Sequence, residues 1–280
     1  MGFSIVELLK YLFLGLIQGI TEVLPVSSSG HVELSRILVG LEIDQNVIFL
    51  ILLNTGSLFT FIIIYFKRLV ELIKSLFIYI FKPTKRFEHQ GNAIFLLKIF
   101  LACVPAGIAG IFLNPIIEHV SDEYGILLAG VGLLVTATVI YYVSTIDYRR
   151  GKKEVGWWDS LFIGLAQAVA IFPGISRSGM TTSTAIKRGA GINNALNFSF
   201  LMYIFISIAS MGLLVIDFTK ESATISNVQI IYYIVAFLGA MAATYVAYKL
   251  IFNIFRSGKL KYFSYYCFAI GLLAVILFVI

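Results

Sequence analysis

Six nearly uncharged apolar runs, each close to 20 residues long, constrain this 280-residue chain more than any other feature. They lie at about 46–66, 93–113, 125–146, 193–216, 229–251 and 262–280. As helices they match the roughly 30 Å hydrocarbon core of a bilayer. Hydrophobic residues make up 59% of the chain and charged residues 13%, against about 25% charged in an ordinary soluble domain. That is too little charge to wet a surface, which excludes a cytosolic enzyme, a secreted disulfide scaffold and a disordered chain. Unbroken apolar runs, in place of alternating ones, exclude an outer-membrane barrel. The stretch from Phe3 to Val26 carries Glu7, Lys10 and Glu22 and has no basic leader, so it reads as part of the mature protein and not as a signal peptide. Cys103 and Cys267 sit inside apolar runs and read as packing residues.

Two further apolar segments are interrupted. Residues 3–38 break at Pro25 and Ser27-Ser28-Ser29-Gly30, and residues 157–190 break at Pro173-Gly174 and Ser176-Arg177-Ser178-Gly179. Lipid cannot satisfy the N–H and C=O groups freed at such breaks, so broken backbone at membrane depth must be buried in protein or line a wet cavity. Each segment is therefore expected to be a re-entrant helical hairpin. The fold expected is an all-α polytopic membrane protein, six transmembrane helices plus two re-entrant hairpins, forming one membrane domain.

The charges support this layout. Lys67, Arg68, Lys74, Lys82, Lys85, Arg86, Arg149, Arg150, Lys152, Lys153, Lys187, Arg188, Lys249, Arg256, Lys259 and Lys261 all fall on one side when six spans are counted. Glu118, Asp122, Glu123, Asp217 and Glu221, with Lys220, fall on the other. The positive-inside rule makes the first group cytoplasmic, with both termini and the first hairpin outside. The net charge of +6 thus sets orientation, and nucleic acid is not an expected partner. Gly15-Leu16-Ile17-Gln18 recurs as Gly164-Leu165-Ala166-Gln167, and Ser29-Gly30 recurs as Ser178-Gly179. Three spans separate the copies, so residues 1–147 and 148–280 are expected to be inverted-topology repeats, with the site where the broken segments meet.

The chemistry concentrates in those segments. Gln18 and Glu22 stand one helical turn apart. A carboxylate below the membrane surface needs a partner, a metal or water. Arg177 stands at the tip of the second break, where its planar fork suits a phosphate. Ser176, Ser178, Gly179, Thr181 and Thr182 surround it at the start of a returning half-helix, whose free N–H groups favour an anion. Ser27, Ser28, Ser29 and Gly30 repeat the device ahead of His31, a candidate nucleophile, general acid or metal ligand. Asn54, Thr55, Gly56 and Ser57 fit either a cavity wall or a polar packing seam.

Three strings carry a resemblance: Gln18-x-x-x-Glu22, Pro25-Val26-Ser27-Ser28-Ser29-Gly30-His31 and Pro173-Gly174-Ile175-Ser176-Arg177-Ser178-Gly179-Met180-Thr181. Together, over the whole chain, they resemble undecaprenyl-diphosphate phosphatases of the bacitracin-resistance type. The resemblance implies a plasma-membrane hydrolase that removes one phosphate from a C55 polyprenyl diphosphate to recycle the cell-wall lipid carrier, its site open to the outer face. It implies a divalent cation, Mg2+ or Ca2+, near Gln18 and Glu22, and Arg177 on the diphosphate. The family often has Glu where this chain has Gln18, which reduces the expected metal site to one carboxylate and an amide. Expected partners are the lipid substrate, membrane lipids and a second copy in a homodimer.

Catalytic candidates are Glu22, Ser28, His31 and Arg177; Ser27, Ser29, Gly30, Ser176, Ser178, Gly179 and Thr181 join Arg177 as substrate-binding candidates. The attacking group is open among Ser28, His31 and water, and Glu22 is open between base and metal ligand. Ser29-Gly30-His31 echoes the membrane acid phosphatases, but neither their Lys-rich Arg-Pro motif nor their second Arg/His/Asp element is found. A transporter or flippase for polyprenyl phosphate is the alternative from another class, because inverted repeats also build transporters.

Overall fold

The computed structural model describes residues 3–41, 47–147, 151, 153–218 and 226–279. The side chains of 47, 48, 50, 118, 122 and 213–218 are outside the description. Arg149, Arg150, Lys152, Lys220 and Glu221 from the charge reading lie outside the described residues, as do the side chains of Glu118, Asp122 and Asp217.

The described chain is helical, with α1 (Ile5–Val23), α2 (Ser28–Leu38), α3 (Val47–Phe81), α4 (Arg86–Thr145), α5 (Trp157–Val169), α6 (Arg177–Lys187), α7 (Ile192–Phe218), α8 (Asn227–Arg256) and α9 (Leu260–Val279). No strand occurs among the described residues. Five helical segments are long and apolar enough to cross a membrane: Pro83–Ile117, Glu123–Thr145, Ile192–Gly212, Asn227–Arg256 and Leu260–Val279. Each interrupted segment is two helices joined by a short turn, α1–α2 and α5–α6, broken where the Pro, Ser and Gly residues fall.

Two helices run further than their apolar cores. α3 continues past the expected end at residue 66 to Phe81, because helix-forming Lys, Arg, Glu and Leu residues follow and Arg68 pairs with Glu71 one turn on at 2.9 Å. The expected spans 93–113 and 125–146 are joined within α4, where only Tyr124 leaves helical geometry (φ −117°, ψ 18°).

Packing is densest between α1 and α8, between α4 and α9, and between α4 and α5. The repeated glycines explain two of these pairs. A Cβ on Gly15 would collide with the carbonyl of Ala236 in α8, and one on Gly164 with the carbonyl of Ala102 in α4. Without side chains, the helix backbones come into direct contact, the way small residues drive helix association in lipid. The first helix of each hairpin thus lies on a helix from the opposite half of the chain. The main core, centred on Phe61, Phe198, Phe200, Leu196, Ile99 and Ile163, fills the space between α3, α4, α5 and α7.

Candidate active site

α1 carries Gln18 and Glu22 on one face, both buried. The Gln18 amide donates to Glu22 Oε2 at 2.9 Å and to Asn54 Oδ1 of α3, also at 2.9 Å. Asn54 is therefore part of the site, a role its sequence context left undecided. Glu22 is 6% exposed. Its Oε2 also accepts the Ser28 hydroxyl at 2.5 Å, while Oε1 accepts Arg177 Nη2 at 2.8 Å. An ionised carboxylate is costly to bury alone, and three donors, one of them the opposite charge of Arg177, offset that cost. Arg177 and Glu22 are 155 residues apart in sequence, so only the meeting of the two turns creates the pair.

Arg177 rests on a platform. Its guanidinium carbon lies 4.7 Å from the centre of the Tyr203 ring in α7, over its face, an arrangement that orients the fork as well as attracting it. Nη1 reaches Ser207 at 3.4 Å. Tyr203 and Ser207 were invisible to sequence reasoning, because each sits in an apolar span among residues that read as lipid-facing or core. Glu22, Arg177, Ser178 and Thr181, with Phe61, Phe200 and Tyr203, line a cavity of about 10 Å³, room for about one water.

The two turns are built alike and tied together. Ser27 Oγ accepts from the Gly30 N–H at 3.4 Å and Ser176 Oγ from the Gly179 N–H at 3.1 Å, capping α2 and α6. The Gly174 N–H donates to Ser29 Oγ at 3.4 Å, and Ser178 Oγ donates to the Leu24 carbonyl at 3.0 Å. Each turn's serine thus holds the other turn's backbone. Thr136 of α4 anchors the second turn, donating to the Gly174 carbonyl and accepting from the Ser176 N–H. Thr181 bonds back to the Arg177 carbonyl and Thr182 to Ser199, so both hydroxyls are engaged within the protein. The turns differ in one respect: Ser27 has φ +69° and is the one described non-glycine residue with positive φ, whereas Ser176 is at −70°. Such strain costs about 1–3 kcal/mol and gathers at functional sites.

His31 is placed differently from Ser28. Nδ1 lies 2.8 Å from the Ser27 carbonyl, and Nε2 lies 2.8 Å from the Tyr266 hydroxyl of α9, whose ring stacks on the imidazole at 5.4 Å. A carbonyl only accepts, so Nδ1 carries the proton and Nε2 faces Tyr266. Neither nitrogen is bonded to the Glu22–Arg177 pair.

Three His, Cys, Asp or Glu side chains do not converge as metal ligands anywhere among the described residues. The oxygens beside Glu22 are those of Gln18, Asn54 and Ser28.

Comparison with known proteins follows the same residues. The family model described as "Bacitracin resistance protein BacA" matches residues 11–273. The chain is 38% identical over 273 residues to undecaprenyl-diphosphatase 3 of Bacillus anthracis, covering 96% of this chain and 97% of that protein. It is 39% identical over 271 residues to the undecaprenyl-diphosphatase of Oceanobacillus iheyensis, covering 96% of each. With the Acholeplasma laidlawii undecaprenyl-diphosphatase it shares 34% identity over 282 residues, covering 99% of each. A match that spans both turns and all but the ends of the chain makes this protein a member of the bacitracin resistance protein BacA family.

Proposed function

We propose that the chain hydrolyses undecaprenyl diphosphate to the monophosphate and inorganic phosphate, recycling the lipid carrier for cell-wall polymers. The observation that carries this reading is one carboxylate, Glu22, bonded at once to a guanidinium and to a serine hydroxyl. Phosphoryl transfer asks chiefly for positioning and charge neutralisation, and this cluster supplies both. The relatives named undecaprenyl-diphosphatases supply the substrate class.

In this mechanism the diphosphate displaces Glu22 from the Arg177 fork, which takes up the phosphate oxygens, helped by the N–H groups that open α2 and α6. Glu22, freed of its cation, accepts the Ser28 proton as Ser28 Oγ attacks the terminal phosphorus. The P–O bond to the bridging oxygen breaks, and the prenyl monophosphate leaves. Glu22 passes the Ser28 proton to that leaving phosphate and, ionised again, deprotonates a water that attacks the phosphoserine phosphorus; the P–Oγ bond breaks, Ser28 Oγ takes the proton back from Glu22, and inorganic phosphate is released. Ser28 is preferred to His31 because it already touches the base, whereas both His31 nitrogens have other partners. The prenyl tail stays in the bilayer.

Glu22, Gln18 and Asn54 offer one carboxylate and two amide oxygens, hard donors of the kind Mg2+ and Ca2+ take. Such a set fits a cation whose remaining ligands are substrate oxygens and water. When bound, the ion would neutralise phosphate charge beside Arg177.

The whole arrangement fits six spans and two re-entrant hairpins in inverted repeats, residues 1–147 and 148–280, in the plasma membrane with the site facing outward. The reciprocal packing of Gly15 and Gly164 supports that symmetry. The same packing favours a second reading, a flippase that moves prenyl phosphate without releasing phosphate. Phosphate release from farnesyl diphosphate by purified protein, with and without EDTA, separates the readings. Wild type is expected to turn over, Arg177→Ala and Glu22→Gln to lose about 100-fold or more, and EDTA to suppress the rate. Full activity of Arg177→Ala would remove the site from the mechanism, EDTA-resistant turnover would remove the cation, and no phosphate release by wild type would leave the flippase.

A further inference from the structure

Tyr203 is 94% buried, being 6% exposed, and its side chain lines the small cavity beside Glu22 and Arg177. Its ring face carries the guanidinium. Its hydroxyl makes no hydrogen bond of ordinary length and angle among the described residues: the Ser207 hydroxyl is close enough only for a weak contact, and it also takes a bond from Arg177. A buried hydroxyl left unpaired is a cost to folding, and proteins seldom retain one unless a water, an ion or a ligand completes it. The platform for Arg177 could be supplied by phenylalanine. The oxygen therefore needs a separate explanation.

We propose that Tyr203 is a second anion-binding group of the site, whose hydroxyl donates to a phosphate oxygen when Arg177 releases Glu22 to grip the diphosphate. The proposal rests on the phosphatase reading and deepens it by assigning a substrate contact outside the two motif-bearing turns. The chemistry is complementary. A phenol is a neutral donor, so it adds a bond to an anion without adding a charge that must be neutralised in the empty site. The same ring fixes the guanidinium that meets the adjoining oxygens, so the two donors reach the anion from one rigid support. α7 supplies it from outside either turn, on a helix whose neighbouring residues Ser199 and Phe200 also line the cavity.

Tyr203→Phe tests the oxygen alone. A hydrogen bond to an anionic group is worth about a factor of ten, so the variant is expected to raise the KM for farnesyl diphosphate about tenfold. Its thermal stability should be equal to or above that of wild type, because an unpaired buried hydroxyl has been removed. Tyr203→Leu, which also removes the aromatic platform, is expected to lower kcat as well. Inorganic pyrophosphate should raise the unfolding temperature of wild type more than that of Tyr203→Phe. The proposal is overturned if Tyr203→Phe matches wild type in KM and in stabilisation by pyrophosphate. It is equally overturned if activity and stability fall together, the mark of a structural hydroxyl. Should wild type bind pyrophosphate but release no phosphate, the phosphatase reading fails, while the pyrophosphate comparison still decides the role of Tyr203.

Discussion

Glu22 accepts donors from Gln18, Ser28 and Arg177, and the chemistry depends on which of them it gives up. Giving up Arg177 frees the fork for phosphate, while Oε2 stays on the Ser28 hydroxyl whose proton it must take. Ser28→Ala separates nucleophile from bystander. If Ser28 attacks, the variant loses about 1000-fold in kcat, and a phosphoserine trapped by acid quench in the wild type disappears. A direct attack by water would leave the variant within about tenfold of wild type, with no phosphoenzyme. Gln18 and Glu22 could be picked out from sequence because their four-residue spacing fixes a shared helix face. Arg177 could be picked out because a guanidinium is costly in a membrane hairpin. Tyr203 could not, since a tyrosine in an apolar span carries no such penalty and its partner, the guanidinium, comes from a different helix.

At the scale of elements, the first hairpin holds the carboxylate and the strained Ser27, and the second holds the arginine. The matching segments are not chemically equal: where α1 has Glu22 four residues after Gln18, the position four residues after Gln167 is Ile171, in the turn beyond α5, and the buried Gln167 amide nitrogen has no partner among the described residues. The second hairpin has its own staple, remote from the chemistry. Asp159 at the start of α5 pairs with Arg188 at the end of α6 and with Lys153 at 2.7 Å, and accepts the Gly156 N–H at 2.9 Å. Burial alone would raise its carboxyl, but these donors outweigh burial and hold it down at about 2, against an ordinary 3.8. A lowered folded pKa contributes stability above the unfolded value, and that stability is lost as pH falls from about 4 toward 2. Asp159→Asn is accordingly expected to destabilise by about 1–2 kcal/mol at pH 6, with the two partly exposed cations screened by solvent. The gap should close near pH 2. Thermal unfolding in detergent across that range measures it; a gap unchanged down to pH 2 would exclude the charge as the cause.

On the scale of the whole molecule, orientation is the property most open to test. Lys82, Glu123, Asn227 and Lys259 are all exposed; in the proposed six-span topology Lys82→Cys and Lys259→Cys would fall on the basic side and Glu123→Cys and Asn227→Cys on the other. With Cys103 and Cys267 replaced by alanine, an impermeant maleimide added to intact cells should label Glu123→Cys and Asn227→Cys and leave the other pair unlabelled. Labelling of all four alike would defeat the six-span topology. Sequence alone determined the helical class, the two breaks and the charged and hydroxylated residues around them, because hydropathy, proline and glycine act locally and the cost of burying charge does not depend on the fold. The lengths of α3 and the join within α4 escaped it, since a helix that leaves lipid is held by propensity and pairing with no apolar run to mark its end. Only the tertiary structure decided that Glu22 meets both Arg177 and Ser28, that His31 turns to Tyr266, and that Tyr203 lies under the guanidinium. Those contacts join helices far apart in the chain, and their distances follow from how backbones pack at small residues such as Gly15 and Gly164, which no linear pattern encodes.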